Sequence, residues 1–330
     1  MDRITIITAG PVGLSMGLGL KRAELQNTEV VGTSGHSGLL NKGSKMGAFD
    51  STSRSLKSAL EGAQLVVLDA PAGETRELME AIGPILEKGC VVTDTGTNKV
   101  QVLEWAKEYY SDDVIFVAGR PQPKEPMSEI EDATVDAFAG TNYSIVPSEH
   151  AAPEAVKTVV GLAEILGAKP LFMDAVEHDS YSAATVLLPR SRSSALVGSV
   201  SSAPSWREIA RVAGAEFNAV SQFAREDPAH SAVACIANAD SVTHWINEAI
   251  TQLIDYRDRL GQEDGELVEE LTRAREERIK WEVDAVVPDD RPEVPTIGQS
   301  FGGMFVGRRL SGKIRKINEA NERREKNDGR

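Results

Sequence analysis

The sequence predicts an α/β protein in which a parallel sheet is wound with helices on both faces and is followed by an all-helical region. Short β-rich runs alternate with helical stretches through the first half. The first of these runs leads straight into a glycine-bearing turn and a helix. Beyond about Asp174 the strand signals stop while helical periodicity continues. A chain of 330 residues exceeds one ordinary core, so roughly two domains and a tail are expected. They are placed at 1–173, 174–284 and 285–330.

The strand candidates are Ile4 to Thr8, Glu29 to Gly32, Leu65 to Leu68, Val91 to Thr93, Val114 to Ala118, Tyr143 to Val146 and Leu171 to Met173, each rich in β-branched or aromatic residues. Between them, Glu74 to Leu86 carries Leu78, Met79, Ile82, Ile85 and Leu86 at helical spacing. Pro153 to Leu166 reads the same way, with Gly167 as its stop. Longer helical patterns cover Ala234 to Leu260 and Leu267 to Val283. Pro288, Pro292 and Pro295 mark a linker, and Ile297 to Gly307 is a Gly-rich apolar stretch. From Arg308 to Arg330 nine Lys or Arg face four acids, beside Phe301, Met304, Phe305 and Val306. This end reads as a partner-docking or membrane-surface segment, or as an extension packed on its own dimer or disordered.

Composition excludes several classes of function. A hydrophobic fraction of 41% with 26% charged residues suits a soluble globular chain. No apolar run approaches the roughly 20 residues that span a bilayer, and Ile4 to Ile7 is too short for a signal-peptide core. Cys90 and Cys235 have no Cys or His at metal-ligand spacing, so no disulfide framework or zinc site is expected and a reducing cytoplasm is. A formal charge of -14 argues against general nucleic-acid binding.

The first turn reads Thr8-Ala9-Gly10-Pro11-Val12-Gly13. Gly10 and Gly13 hold the second and third glycine positions of G-x-G-x-x-G, with Thr8 at the first. Backbone without side chains lets a pyrophosphate approach the helix N-terminus, where free amides and the helix dipole favour negative charge. Gly10, Pro11, Val12 and Gly13 are therefore candidate cofactor contacts, against the plainer reading of a tight strand-to-helix turn. An NAD site usually presents an acid to the ribose at the end of the second strand. Here that strand ends in Thr33-Ser34-Gly35-His36-Ser37, without a carboxylate. Hydroxyls of Thr33, Ser34 and Ser37 can donate to a 2′-phosphate, with His36, Lys42 or Lys45 as cationic partners. NADP(H) is favoured on that reading; on the other, these residues are a surface turn.

Several segments together resemble the prephenate and arogenate dehydrogenase family of tyrosine biosynthesis. The carriers are Ala9 to Gly13, Leu65 to Pro71, Val91 to Lys99, Met173-Asp174 with Glu177-His178-Asp179, Leu188-Pro189, and Ala213-Gly214 with Phe217, in order across residues 3–283. The resemblance implies a Rossmann-type domain, an intertwined helical dimerisation domain, and oxidative decarboxylation with hydride passing to a nicotinamide in the cleft between them. It also implies cofactor contacts at Ala70, Pro71 and Thr97, the last matching a family serine near the nicotinamide. The sequence departs from the family at functional positions. Arg120 stands in Ala118-Gly119-Arg120-Pro121 where the family has a histidine contacting the reacting hydroxyl, and Leu187 and Arg190 replace two histidines flanking Leu188-Pro189. Gln222 occupies the place of an arginine that would bind a substrate carboxylate.

Arginine stays protonated and cannot take up a proton at neutral pH, so an ordinary base is missing. His178 is the family-matched proton carrier that remains, or else a helix-start histidine held by its neighbours. Lys99 reads as a phosphate or substrate contact or as a solvated helix-start lysine, and Asp69 as a capping or cofactor-amide acceptor. The expected function is an NADP-dependent oxidoreductase with a diverged substrate pocket; the alternative is a catalytically inactive NADP(H)-binding homodimer acting as sensor or scaffold. A homodimer is expected because helical patterns from Ser180 to Val283 carry more apolar positions than one small bundle buries. The candidate catalytic set is His178, Thr97, Arg120 and Arg190. Arg120 and Arg190 in one cleft would suit a small anionic substrate or effector, unless each pairs with a local carboxylate such as Glu125 or Glu177.

Overall fold

The computed structural model describes residues 2–149, 151–260 and 266–283; the linker and tail readings above fall outside them. Strands β1 (Asp2–Thr8), β2 (Thr28–Thr33), β3 (Ser51–Ser53), β4 (Ala63–Asp69), β5 (Val91–Asp94), β6 (Ile115–Pro121), β7 (Asn142–Pro147) and β8 (Lys169–Phe172) form one 8-stranded sheet in the order β3-β2-β1-β4-β5-β6-β7-β8. The order reverses at β1, which opens a crevice at the carboxyl ends of β1 and β4. Pairing is parallel through β6, whereas β7 runs antiparallel to β6 and β8 follows β7. Strand β3 has no apolar run to announce it; Ser51, Thr52 and Ser53 merely extend the edge along β2.

Helices α1 (Pro11–Arg22), α2 (Ser37–Met46), α3 (Leu56–Leu60), α4 (Thr75–Ile82), α5 (Lys99–Tyr109) and α6 (Pro153–Ile165) accompany the strands. Successive strand residues point to opposite faces. Ile6, Val67 and Val117 accordingly join one buried cluster with Leu14, Leu20, Val159 and Leu162. Their neighbours Ile7, Val66, Leu68 and Phe116 join another with Met79, Ile82 and Val102. Both faces are covered, which is why the central strands read as continuous apolar runs. Pro84 ends the regular part of the Glu74 to Leu86 pattern, which finishes as a 3-10 turn at Gly83–Ile85.

After β8 come α7 (Ala175–Ser182), a π-helical turn (Ala183–Leu187), α8 (Leu188–Ser201), α9 (Trp206–Val212), α10 (Ala215–Ser221), α11 (Pro228–Ala237), α12 (Ala239–Arg259) and α13 (Glu266–Glu282). The π turn precedes Pro189, which has no amide to give to a carbonyl one turn back. The continuous helix expected over Ala234 to Leu260 is broken at Asn238, whose φ of -127° and ψ of 38° leave the helical region. Its side-chain amide instead donates to the Asp179 carbonyl at 2.6 Å. The helical region buries little of its own: Ala183, Leu187, Ala234 and Val242 form its core, while Ile236, Ile250, Leu253, Leu271 and Trp281 are exposed.

Candidate active site

The carboxyl end of β1 turns into α1 at Gly10, and this turn is held from beneath. The Gly13 amide donates to Asp69 Oδ2 at 2.9 Å, Thr8 Oγ1 lies 3.0 Å from the same oxygen, and Thr95 Oγ1 donates to Oδ1 at 2.9 Å. Burial raises the Asp69 pKa above the ordinary range, and these donors oppose it. A Cβ on Gly13 would lie 2.5 Å from Thr8 Oγ1, so this glycine is required for close packing. A Cβ on Gly10 would meet nothing within 4 Å. The turn therefore offers bare backbone to open space, a cradle that fits a dinucleotide pyrophosphate. Asp69 serves the turn's own amide, which resolves its two readings in favour of the cap.

That open space is a cleft of about 440 Å³ lined by Ala9, Gly10 and Pro11, by His36, Gly38, Leu39 and Lys42 at the start of α2, and by Ser128, Glu129 and Ile130 from the β6–β7 connection. Of the residues expected at a 2′-phosphate, the structure brings His36 and Lys42 to the cleft. Ser34 accepts from the His36 amide at 3.1 Å and fixes the turn, Ser37 opens α2, and Thr33 is buried at the end of β2. Val12 sits in the first turn of α1, and Ala70 and Pro71 are half-buried after β4, where Pro71 accepts from Thr75. Lys42 pairs with exposed Glu131. Glu129, which sequence reasoning did not single out, lies 3.6 Å from Arg225.

A buried polar cluster occupies the ends of β5 and β6. Lys99 is fully buried, a correction to both readings of it as a ligand contact or a solvated lysine. Its Nζ donates to Asp94 Oδ2 at 2.6 Å and to the Gly119 carbonyl at 2.7 Å. Asp94 also accepts from the Gly96 and Gly119 amides. Burial lowers the Lys99 pKa, and Asp94 pulls it back. From α7, Asp179 accepts from the Lys99 and Val100 amides at 2.6 and 3.0 Å and so caps α5, whose own N-cap Asn98 provides no side-chain bond. The same carboxylate lies 2.9 Å from His178 Nδ1. Burial and the neighbouring Lys99 and Arg120 charges hold the His178 pKa below its usual value, against the Asp179 bond. Thr97 is half-buried between β5 and α5.

Arg120 emerges at the end of β6, and its Nη1 is buried without a hydrogen-bond partner among the described residues. Burial and the charge of Arg190 push its pKa down to about 10, still far above neutrality. Arg190 follows the reading in which each arginine pairs with a local carboxylate, its Nε meeting Glu226 at 2.7 Å. Glu177 accepts from the Tyr181 hydroxyl. Glu226 had no sequence signal; it follows the 3-10 turn Gln222–Arg225, on which Gln222 is exposed. Leu187 is fully buried in the helical core. Among the described residues no group of His, Cys, Asp and Glu is arranged to hold a metal, and no helix is long and apolar enough to cross a membrane.

Residues 16–171 match the family of the prephenate dehydrogenase nucleotide-binding domain. A prephenate dehydrogenase from Lactococcus lactis subsp. cremoris is 30% identical over 199 residues, covering 60% of this chain and 53% of that protein, so the chain spans about half of that relative's length. A cyclohexadienyl dehydrogenase from Zymomonas mobilis is 24% identical over 243 residues, 71% of this chain and 81% of the relative. Among solved structures, prephenate dehydrogenase from A. aeolicus in complex with hydroxyphenyl propionate and NAD+ matches with a TM-score of 0.76 and 22% identity, over 85% of this chain and 98% of that one. Synechocystis arogenate dehydrogenase matches with a TM-score of 0.66 and 21% identity over 84% and 99% of the two chains. At these identities the structural likeness is one of fold.

Proposed function

We propose that this chain belongs to the prephenate/arogenate dehydrogenase family and is an NADP-dependent oxidoreductase whose substrate pocket has diverged around Arg120; the match of residues 16–171 and the Lactococcus lactis relative support the reading. The observation that carries the nucleotide reading is the Gly10 turn, held on Asp69 and open to a cleft that His36 and Lys42 also line. The bound nicotinamide nucleotide would supply hydride acceptance or donation. The residues of the chain would do the rest. Amides at the start of α1 would hold the pyrophosphate, and Lys42 would give up its exposed partner Glu131 for a 2′-phosphate at little cost, because surface ion pairs contribute little. Thr97, between β5 and α5, would stand near the nicotinamide, as the resemblance implies. Asp179 fixes His178 through Nδ1 and leaves Nε2 to carry a proton, and the lowered pKa keeps that ring neutral at pH 7.

Calorimetry with NADPH and NADH tests the cofactor: NADPH binds several-fold tighter, and equal or reversed affinities overturn the preference. Steady-state assays of prephenate and arogenate oxidation with each cofactor test the reaction. A second reading, a catalytically inactive NADP(H)-binding sensor or scaffold, is favoured by one observation, Arg120 in Ala118–Pro121, where the resemblance implies a histidine. NADPH binding without turnover of either substrate supports it.

The units at 1–173 and 174–284 would then be a nucleotide domain and a dimerisation domain. Exposed Ile250, Leu253 and Ile254 share one stripe of α12, and a second copy is the partner such a stripe fits.

A further inference from the structure

The end of β6 holds a guanidinium whose Nη1 is buried without a hydrogen-bond partner among the described residues. Arg120 lies at the carboxyl edge of the sheet, the edge shared with the Gly10 turn and with Asp94, because β6 runs parallel to β5 and β5 to β4. Asp94 and Asp179, the acids that act on Arg120, and Glu226 beside Arg190 are each engaged by other groups among the described residues. Asp94 is taken by Lys99 and by the Gly96 and Gly119 amides. Asp179 is taken by the first amides of α5 and by His178. Glu226 is taken by Arg190. Arg120 itself leaves Nη1 buried and unpartnered among the described residues, while the rest of the side chain is only half-buried.

We propose that Arg120 binds a carboxylate of the ligand, with Arg190 beside it, at the place where the family resemblance puts a proton acceptor. The proposal rests on the reading of this cleft as a dehydrogenase site and gives it a substrate class. Lys99 pairs with Asp94, Arg190 with Glu226, and Asp179 caps α5, so the three cations and three carboxylates around this point balance, and the Arg120 guanidinium needs a hydrogen-bond acceptor rather than a net counter-charge. A monoanion adds one negative charge there, where a phosphate dianion would add two and leave a larger excess buried charge. A guanidinium edge also matches the planar geometry of a carboxylate. The same argument removes Arg120 from proton transfer: its role is to orient an ionised group, and the ligand's carboxylate replaces the hydroxyl at this position.

The test is calorimetry of the full-length protein saturated with NADP+, using 3-phenylpropionate, its neutral amide 3-phenylpropionamide and inorganic phosphate as probes. The acid is expected to bind at least about tenfold tighter than the amide, as charge-assisted bonds to a buried guanidinium require. Arg120→Gln should abolish that difference while leaving NADPH affinity unchanged, and Arg120→Lys should restore part of it. Equal binding of acid and amide by the wild type, no binding of the acid at millimolar concentration, or displacement of the acid by phosphate at lower concentration would each overturn the proposal. Loss of NADPH binding by the wild type sinks the nucleotide reading instead, so the two failures are separable.

Discussion

Gly10 and Gly13 share one turn, yet they answer to different constraints. Gly13→Ala would drive a methyl group to 2.5 Å from Thr8 Oγ1 and 2.6 Å from Asp69 Oδ2. Overpacking of this kind costs about 1–3 kcal/mol, so a lowered Tm is expected together with weakened NADPH binding. Gly10 has an extended φ of -169°, which any residue adopts, and open space where its Cβ would stand. Gly10→Ala should therefore keep its Tm and lose about tenfold or more in NADPH affinity, because the methyl occupies the path of the pyrophosphate. A Gly10→Ala protein that bound NADPH normally would remove the turn from the site. His178 makes a pH-dependent contribution of known sign. Its folded pKa lies below the unfolded value of about 6.5, so protonation favours the unfolded chain. The contribution is complete above that unfolded pKa and is lost as pH falls below it toward the folded value. Urea midpoints followed from pH 7.5 downward should drop through this window, and His178→Asn should flatten that part of the profile.

At the scale of elements, the start of α5 is built from two distant pieces of chain. Its first amides are capped by Asp179 of α7, and its first side chain, Lys99, runs back under the sheet to Asp94. The helix is thereby fastened to β5, β6 and α7 together. Asp179→Ala removes the cap and should cost about 1–2 kcal/mol or more in chemical denaturation. It should also release the His178 ring and shift the pH profile just described. Lys99→Met leaves Asp94 buried without its cation, for which about 3–5 kcal/mol is expected. The double variant Asp94→Asn, Lys99→Met should recover part of that loss, since both charges are then gone. A fully additive double-variant cycle would show that the pair is not coupled. The π turn at Ala183–Leu187 has a comparable placing effect, for it sets the register at which α8 presents Arg190 to Glu226.

At the scale of the whole molecule, the sheet has a deep two-sided core and the helical region does not. Exposed Ile250, Leu253 and Ile254 form an apolar stripe that the other described residues leave uncovered. Light scattering is expected to return a dimer at micromolar concentration, and Ile250→Glu with Leu253→Glu to return a monomer with NADPH affinity retained. The sequence by itself determined the sheet, because strands buried on both faces must be apolar at consecutive positions, as in Leu65 to Leu68. It also determined the glycine turn between β1 and α1, because a strand, a glycine turn and a helix are contiguous in the chain. It could not announce β3, whose Ser51, Thr52 and Ser53 pair only because β2 offers an edge, nor the break at Asn238, imposed by a bond to Asp179. The site was legible as residue types, with Arg120 marked by its place in a motif. The pairings around it were not, because Arg190 meets Glu226, Lys99 meets Asp179 and Gly119 meets Asp94 across long stretches of chain, and local pattern carries no information about such pairs. The state of Lys99 shows this most plainly: at the start of a helix a lysine ordinarily projects into water, and only the closing of β5 and β6 over it, with Asp94 and a carbonyl to receive its protons, made it a buried member of the core.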